Sequence, residues 1–134
     1  MKNFDTQQTN HANFVVGLFV LVVLSVASLS ILKSAGLLSG DLGQAVQSHD
    51  LIFHVAFALV LGGLAGLASR ASNKPMVALL LFFVVTDELS QIWLPTRQFS
   101  WLDMACNVFG CLAGVLICHF TLFAHAQWFN RPTT

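Results

Sequence analysis

Four apolar runs, each long enough to cross a bilayer, divide the chain, and short polar breaks separate the last three. The first is "NFVVGLFVLVVLSVASLSIL", residues 13–32. The second is "LIFHVAFALVLGGLAGLAS", 51–69, the third covers 76–94 and the fourth covers 103–124. About 20 mainly apolar residues in a helix span the hydrocarbon core. The pattern predicts an all-α integral membrane bundle of four transmembrane helices, forming one domain over 1–134. Short connections make helices two, three and four antiparallel neighbours. The connection from Lys33 to Asp50 is longer and carries Gly36, Gly40 and Gly43.

Composition agrees with the pattern. Charged residues are 9% of the 134 and hydrophobic ones 56%. Soluble domains carry about 25% charged residues, so the membrane class follows and the lipid bilayer is the expected partner. A formal net charge of zero gives no reason to expect a nucleic-acid partner. Cys106, Cys111 and Cys118 all fall in the fourth run. An odd number in one membrane helix reads as small packing residues, not as a disulfide framework. The small residues "SVAS" in the first run could mark a cleaved signal peptide. Lys2 is offset by Asp5, however, and the run continues to Leu32, so an uncleaved span is expected.

Lys and Arg set the expected orientation. Lys2, Arg70, Lys74 and Arg131 share one side, and Lys33 and Arg97 share the other. Both termini are therefore expected in the cytoplasm. Trp93, Trp101 and Trp128 suit the interfacial belts.

This topology gathers the polar residues of the spans. Helix two starts with Asp50 and His54, helix three ends with Asp87, Glu88 and Gln91, and helix four starts with Asp103 and Asn107. All are expected in the extracytoplasmic leaflet, with Arg97 in the turn between helices three and four. Ionisable groups at such depth must face protein or a water-filled cavity. Asp50 and His54 are four residues apart and share a face, which Phe57 and Leu61 continue. Gln91, four from Asp87 and three from Glu88, is expected to bridge both acids. Asp103, Asn107, Gly110 and Gly114 form one stripe whose glycines admit a neighbouring helix, as do Gly62 and Gly66 on helix two. His49, His119 and His125 lie apart from the cluster.

These residues carry a resemblance. "DLIFHVAF", followed by "DELSQIWLPTRQFSWLDMACNVFGCLAG", resembles the VanZ-like family of small bacterial membrane proteins. The matching positions are Asp50, His54, Phe57, Asp87, Glu88, Gln91, Pro95, Arg97, Ser100, Asp103, Asn107, Gly110 and Gly114, within about 48–117. Leu51 stands where many members have Lys, and Ser90 where many have His. A proton-transfer role for a histidine at that second position is thus absent here. The resemblance implies a multi-pass protein of the bacterial cytoplasmic (inner) membrane. It also implies a cell-envelope setting like that of teicoplanin resistance.

The chemistry open to this cluster is of two kinds. Asp87, Glu88 and His54 are the candidate catalytic groups, since burial and a carboxylate neighbour tune acids and bases. Asp50, Gln91, Arg97, Asp103 and Asn107 are candidate binding groups, with Arg97 suited to a phosphate or carboxylate. The same acids could instead serve only to hold helices in register. No metal-ligand signature is present, and neither Ser90 nor Ser100 sits in a nucleophile motif. No cofactor is expected. Three functions follow: binding or modulating a lipid-linked or amphiphilic envelope ligand, an intramembrane hydrolase or transferase, or an assembly subunit. The oligomeric state is left open.

Overall fold

The computed structural model describes residues 2–35, 37, 50–94 and 99–129. Four helices account for nearly all of them: α1 (Lys2–Ser34), α2 (Asp50–Ser72), α3 (Met76–Ser90) and α4 (Trp101–Phe129). A 3-10 turn, Gln91–Trp93, follows α3 directly. Each of the four expected spans is found: Thr9–Lys33, Leu51–Ser72, Met76–Trp93 and Trp101–Trp128 are long and apolar enough to cross a membrane. In a bilayer core every backbone amide must be satisfied within the protein, which a helix does locally. Hydroxyls along the spans follow the same rule. Ser25, Ser28, Ser72 and Thr86 each donate to the carbonyl four residues earlier, at 2.6–2.9 Å.

Several boundaries differ from the sequence pattern: α1 begins at Lys2 rather than Asn13, α2 runs to Ser72 and α4 to Phe129, and two more differences lie at the α3–α4 turn. Helix three was expected to reach Leu94, but its α-helical part ends at Ser90 and the 3-10 turn finishes the span. Helix four starts at Trp101 rather than Asp103. The reason is a cap. The Ser100 hydroxyl accepts the Asp103 amide at 3.2 Å, and the Ser100 carbonyl accepts the Met104 amide at 3.1 Å. A serine here satisfies one of the donors that a helix start leaves over. Hydropathy alone does not register such a turn.

The α2–α3 connection is equally local in origin. Asn73 takes φ 53°, a left-handed conformation that Asn tolerates better than most residues. Pro75 precedes α3, and the Ser69 hydroxyl accepts the Val77 amide at 3.2 Å. The two helices turn back on each other within three residues.

α2 is the centre of the bundle and packs against α1, α3 and α4, while α3 also meets α4. Its buried stripe is Ala58, Leu61, Ala65 and Ala68. Phe57, expected on the His54 face beside Leu61, is instead exposed, and Ala58 takes the inward position. A small side chain there lets α4 close in. The α3 stripe is Met76, Leu80, Val84 and Glu88, one residue per turn. α1 contributes Phe19 to the core and lays Val15, Val22 and Val26 beside it.

The glycines set the α2–α4 distance. A Cβ on Gly62 would overlap the Cys111 carbonyl, and one on Gly114 would overlap the Leu59 carbonyl. A Cβ on Gly110 would come within 2.7 Å of Ala58 Cβ. Small residues facing each other in this way allow close van der Waals packing where the hydrophobic effect offers none.

Candidate functional site

The end of α1, the start of α2, the end of α3 and the start of α4 meet at one end of the bundle. The predicted polar residues on the described helices lie there, but not in the arrangement that spacing suggested. Glu88 continues the buried stripe of α3 and is 1% exposed. Gln91, also buried, donates its side-chain amide to Glu88 Oε2 at 3.0 Å. Asp87 lies about 100° round the helix. Its two carboxylate oxygens stand 3.3 and 3.2 Å from the Ser30 hydroxyl of α1, which donates to them. The expected Gln91 bridge over both acids is therefore replaced by two separate contacts. One residue of helical rotation sends the neighbouring carboxylates to different partners.

His54 and Asn107 join α2 to α4. His54 Nδ1 lies 3.1 Å from Asn107 Oδ1. Asn107 is thus one partner of His54. Asp103 is half-buried at the third position of α4, where a carboxylate favours the positive end of the helix dipole. The Asp50 side chain, Arg97 with Pro95, and His49 lie outside the described residues.

Ser30 was not among the sequence candidates. Three serines close together on α1 mask it: Ser25 and Ser28 bond to their own helix, at Leu21 and Leu24. Only tertiary packing shows that Ser30 turns to Asp87 instead. His119 stays apart as expected, with Nδ1 2.9 Å from the Val115 carbonyl. Among the described residues, no three His, Cys, Asp or Glu side chains are gathered to hold a metal ion.

The family described as VanZ/LLP1 matches residues 2–124. The chain belongs to this family. The VanZ/LLP1 match takes in α1 and Ser30 as well as the motif region, so all four helices are part of the family's unit. No curated protein and no solved structure matches the chain.

In this VanZ-like bundle the site combines acceptors at different depths. Glu88 is sealed by packing, Asp87 is half-buried beside α1, and Asp103 is half-buried in the first turn of α4. Trp93 and Trp101 are exposed at the same end. Rings with an apolar body and a polar edge suit the level of lipid head groups.

Proposed function

We propose that this VanZ-like protein sits in the bacterial cytoplasmic membrane and binds the polar head of an amphiphilic envelope component. A lipid-linked cell-wall intermediate or a lipoglycopeptide of the teicoplanin type has the required chemistry. The observation that carries this is the gathering of Ser30, His54, Asp87, Glu88, Gln91, Asp103 and Asn107 at one end of four apolar helices. Polar groups within membrane spans are costly and mark sites of function by default. In this proposal Arg97 meets an anionic head group, while Asp50, Gln91 and Asn107 orient it. The polar end faces the extracytoplasmic side, with both termini in the cytoplasm. Residues 1–134 act as one domain.

The test is binding to protein reconstituted in vesicles, with a lipid-linked peptidoglycan precursor and with teicoplanin. Saturable binding that falls roughly tenfold in Arg97→Ala, the size of one lost charge-assisted contact, is the expected result, with a fall also in Glu88→Gln, whose carboxylate holds Gln91 in place. Unchanged affinity in both variants rejects the proposal.

A catalytic reading draws on His54, whose Nδ1 contact with Asn107 orients the ring as a general base is oriented. Glu88 or Asp87 would then share the proton transfers of an intramembrane hydrolase or transferase. Turnover of a lipid-linked precursor that survives Glu88→Gln excludes Glu88 as the base.

A further inference from the structure

α1 is attached to the bundle differently from the other helices. Among the described residues its Cα trace comes within 8 Å of α2 but not of α3 or α4. Phe19 is its one buried residue among those described. At the polar end the gap between the α1 and α3 backbones is crossed by the Ser30 hydroxyl, donating to the Asp87 carboxylate at 3.2 and 3.3 Å. The contrast with α2–α4 is sharp. There, backbone carbonyls lie against Gly62 and Gly114, leaving no room even for a methyl group.

Two physical points follow. A lipid whose chains stay in the bilayer approaches the polar end from the side, and the seams between helices are its lateral routes. The seam between α1 and α3 is held by side chains, whereas the α2–α4 seam is closed at the backbone. Second, Asp87 already accepts a neutral hydroxyl in this environment. A carboxylate that takes a hydroxyl from a neighbouring helix can take one from a ligand, at the same distance and with the same desolvation.

We infer that the amphiphile's head reaches Asp87 through the α1–α3 seam, and that a hydroxyl of the head replaces that of Ser30. The ligand class is thereby narrowed to heads with hydroxyl donors, such as sugars. Ser30 is a positioning residue that occupies the acceptor until the ligand arrives. This rests on the proposed binding function and adds the route and the head-group chemistry.

The distinguishing feature is competition. Removing an internal donor should strengthen binding, whereas removing a structural contact should weaken it or do nothing. The probe is a neutral glucosyl diacylglycerol with brominated acyl chains, mixed into dioleoylphosphatidylcholine vesicles. Quenching of Trp93 and Trp101, read in a Trp128→Phe background, reports its enrichment at the site. A preference for the glycolipid over phosphatidylcholine is expected, and it should vanish when the sugar hydroxyls are O-methylated. Ser30→Ala should raise the preference roughly three- to tenfold, the net size of one ordinary hydrogen bond. Ser30→Thr, which keeps the hydroxyl, should leave it at the wild-type level, and Asp87→Ala should abolish it.

Equal enrichment of the O-methylated lipid overturns the inference, as does an unchanged or weaker preference in Ser30→Ala. If Arg97→Ala and Glu88→Gln still reduce binding in that case, the site stands and only the role of Ser30 falls. Absence of any preference in the wild type overturns the inference, and failure of the precursor and of teicoplanin to bind overturns the wider function.

Discussion

Asp87 and Glu88 are adjacent in the chain and belong to different contacts. Glu88 ends the buried stripe Met76, Leu80, Val84 and is held by Gln91. Asp87 is half-buried and turned to Ser30. Their substitutions should separate accordingly. Glu88→Ala removes the acceptor of a buried amide and leaves a void. It should cost about 1–3 kcal/mol, read as a lowered thermal midpoint in detergent. Asp87→Asn keeps an acceptor for the Ser30 hydroxyl and should stay within about 0.5 kcal/mol of wild type. The His54–Asn107 pair can be isolated by a double-mutant cycle with His54→Phe and Asn107→Leu. Interhelical hydrogen bonds in membranes average about 0.6 kcal/mol in such cycles, and a coupling of that size is expected. A coupling indistinguishable from zero would mean that the contact does not hold α2 to α4.

At the scale of elements, opposing effects of one substitution decide where a glycine is required. Gly→Ala inside a helix gains about 1 kcal/mol of propensity. At Gly17 nothing lies within 4 Å of the added methyl, so Gly17→Ala should be neutral or mildly stabilising. At Gly114 the same methyl would overlap the Leu59 carbonyl and approach the Gly63 amide nitrogen at 2.8 Å. Backbone cannot yield as a flexible side chain does, and overpacking costs about 1–3 kcal/mol or more. Gly114→Ala and Gly62→Ala should therefore destabilise despite better propensity, shown by thermal unfolding of each variant beside Gly17→Ala. The α4 start is a second element-level test. Ser100→Ala removes the acceptor for the Asp103 amide and should cost about 1 kcal/mol, while Ser100→Asp should retain most of the stability.

For the whole molecule, large apolar side chains dominate the outward faces of the described helices. Leu21, Leu24 and Ile31 on α1, Phe82 on α3, and Phe109, Leu116 and Phe120 on α4 are all exposed. In water such a surface would aggregate, whereas in a bilayer it is the ordinary lipid contact. Antiparallel connections then require the α2–α3 and α3–α4 turns to lie on opposite faces of the membrane. In the proposed orientation the α2–α3 turn, with Arg70 and Lys74, faces the cytoplasm. Single cysteines at Asn73 and Gln98, probed with a membrane-impermeant maleimide on intact cells, should label at Gln98 only. Labelling at Asn73 instead would invert the orientation, and labelling at both would break the four-span topology. The three native cysteines lie within α4, buried or half-buried, which keeps the background low.

The four spans, the shared end of their polar residues and the facing glycines were legible in the sequence. Each depends on a short-range property: the length of an apolar run, the reversal of direction at each turn, or the i, i+4 repeat of small residues. The partner of each polar side chain was not legible in this way. Spacing allowed Gln91 to reach either acid. Only the rotation of α3 against its neighbours turned Glu88 inward and Asp87 toward α1. Nothing local paired His54 with Asn107, 53 residues on, and the close α2–α4 approach brought the amide to its Nδ1. Ser30 carried no local mark, because its contact lies 57 residues away in the chain. Hydrophobic length and turn chemistry are properties of a segment, so sequence determined the bundle. Hydrogen-bond choice depends on angles between helices to within one residue of rotation, and tertiary packing alone decided it.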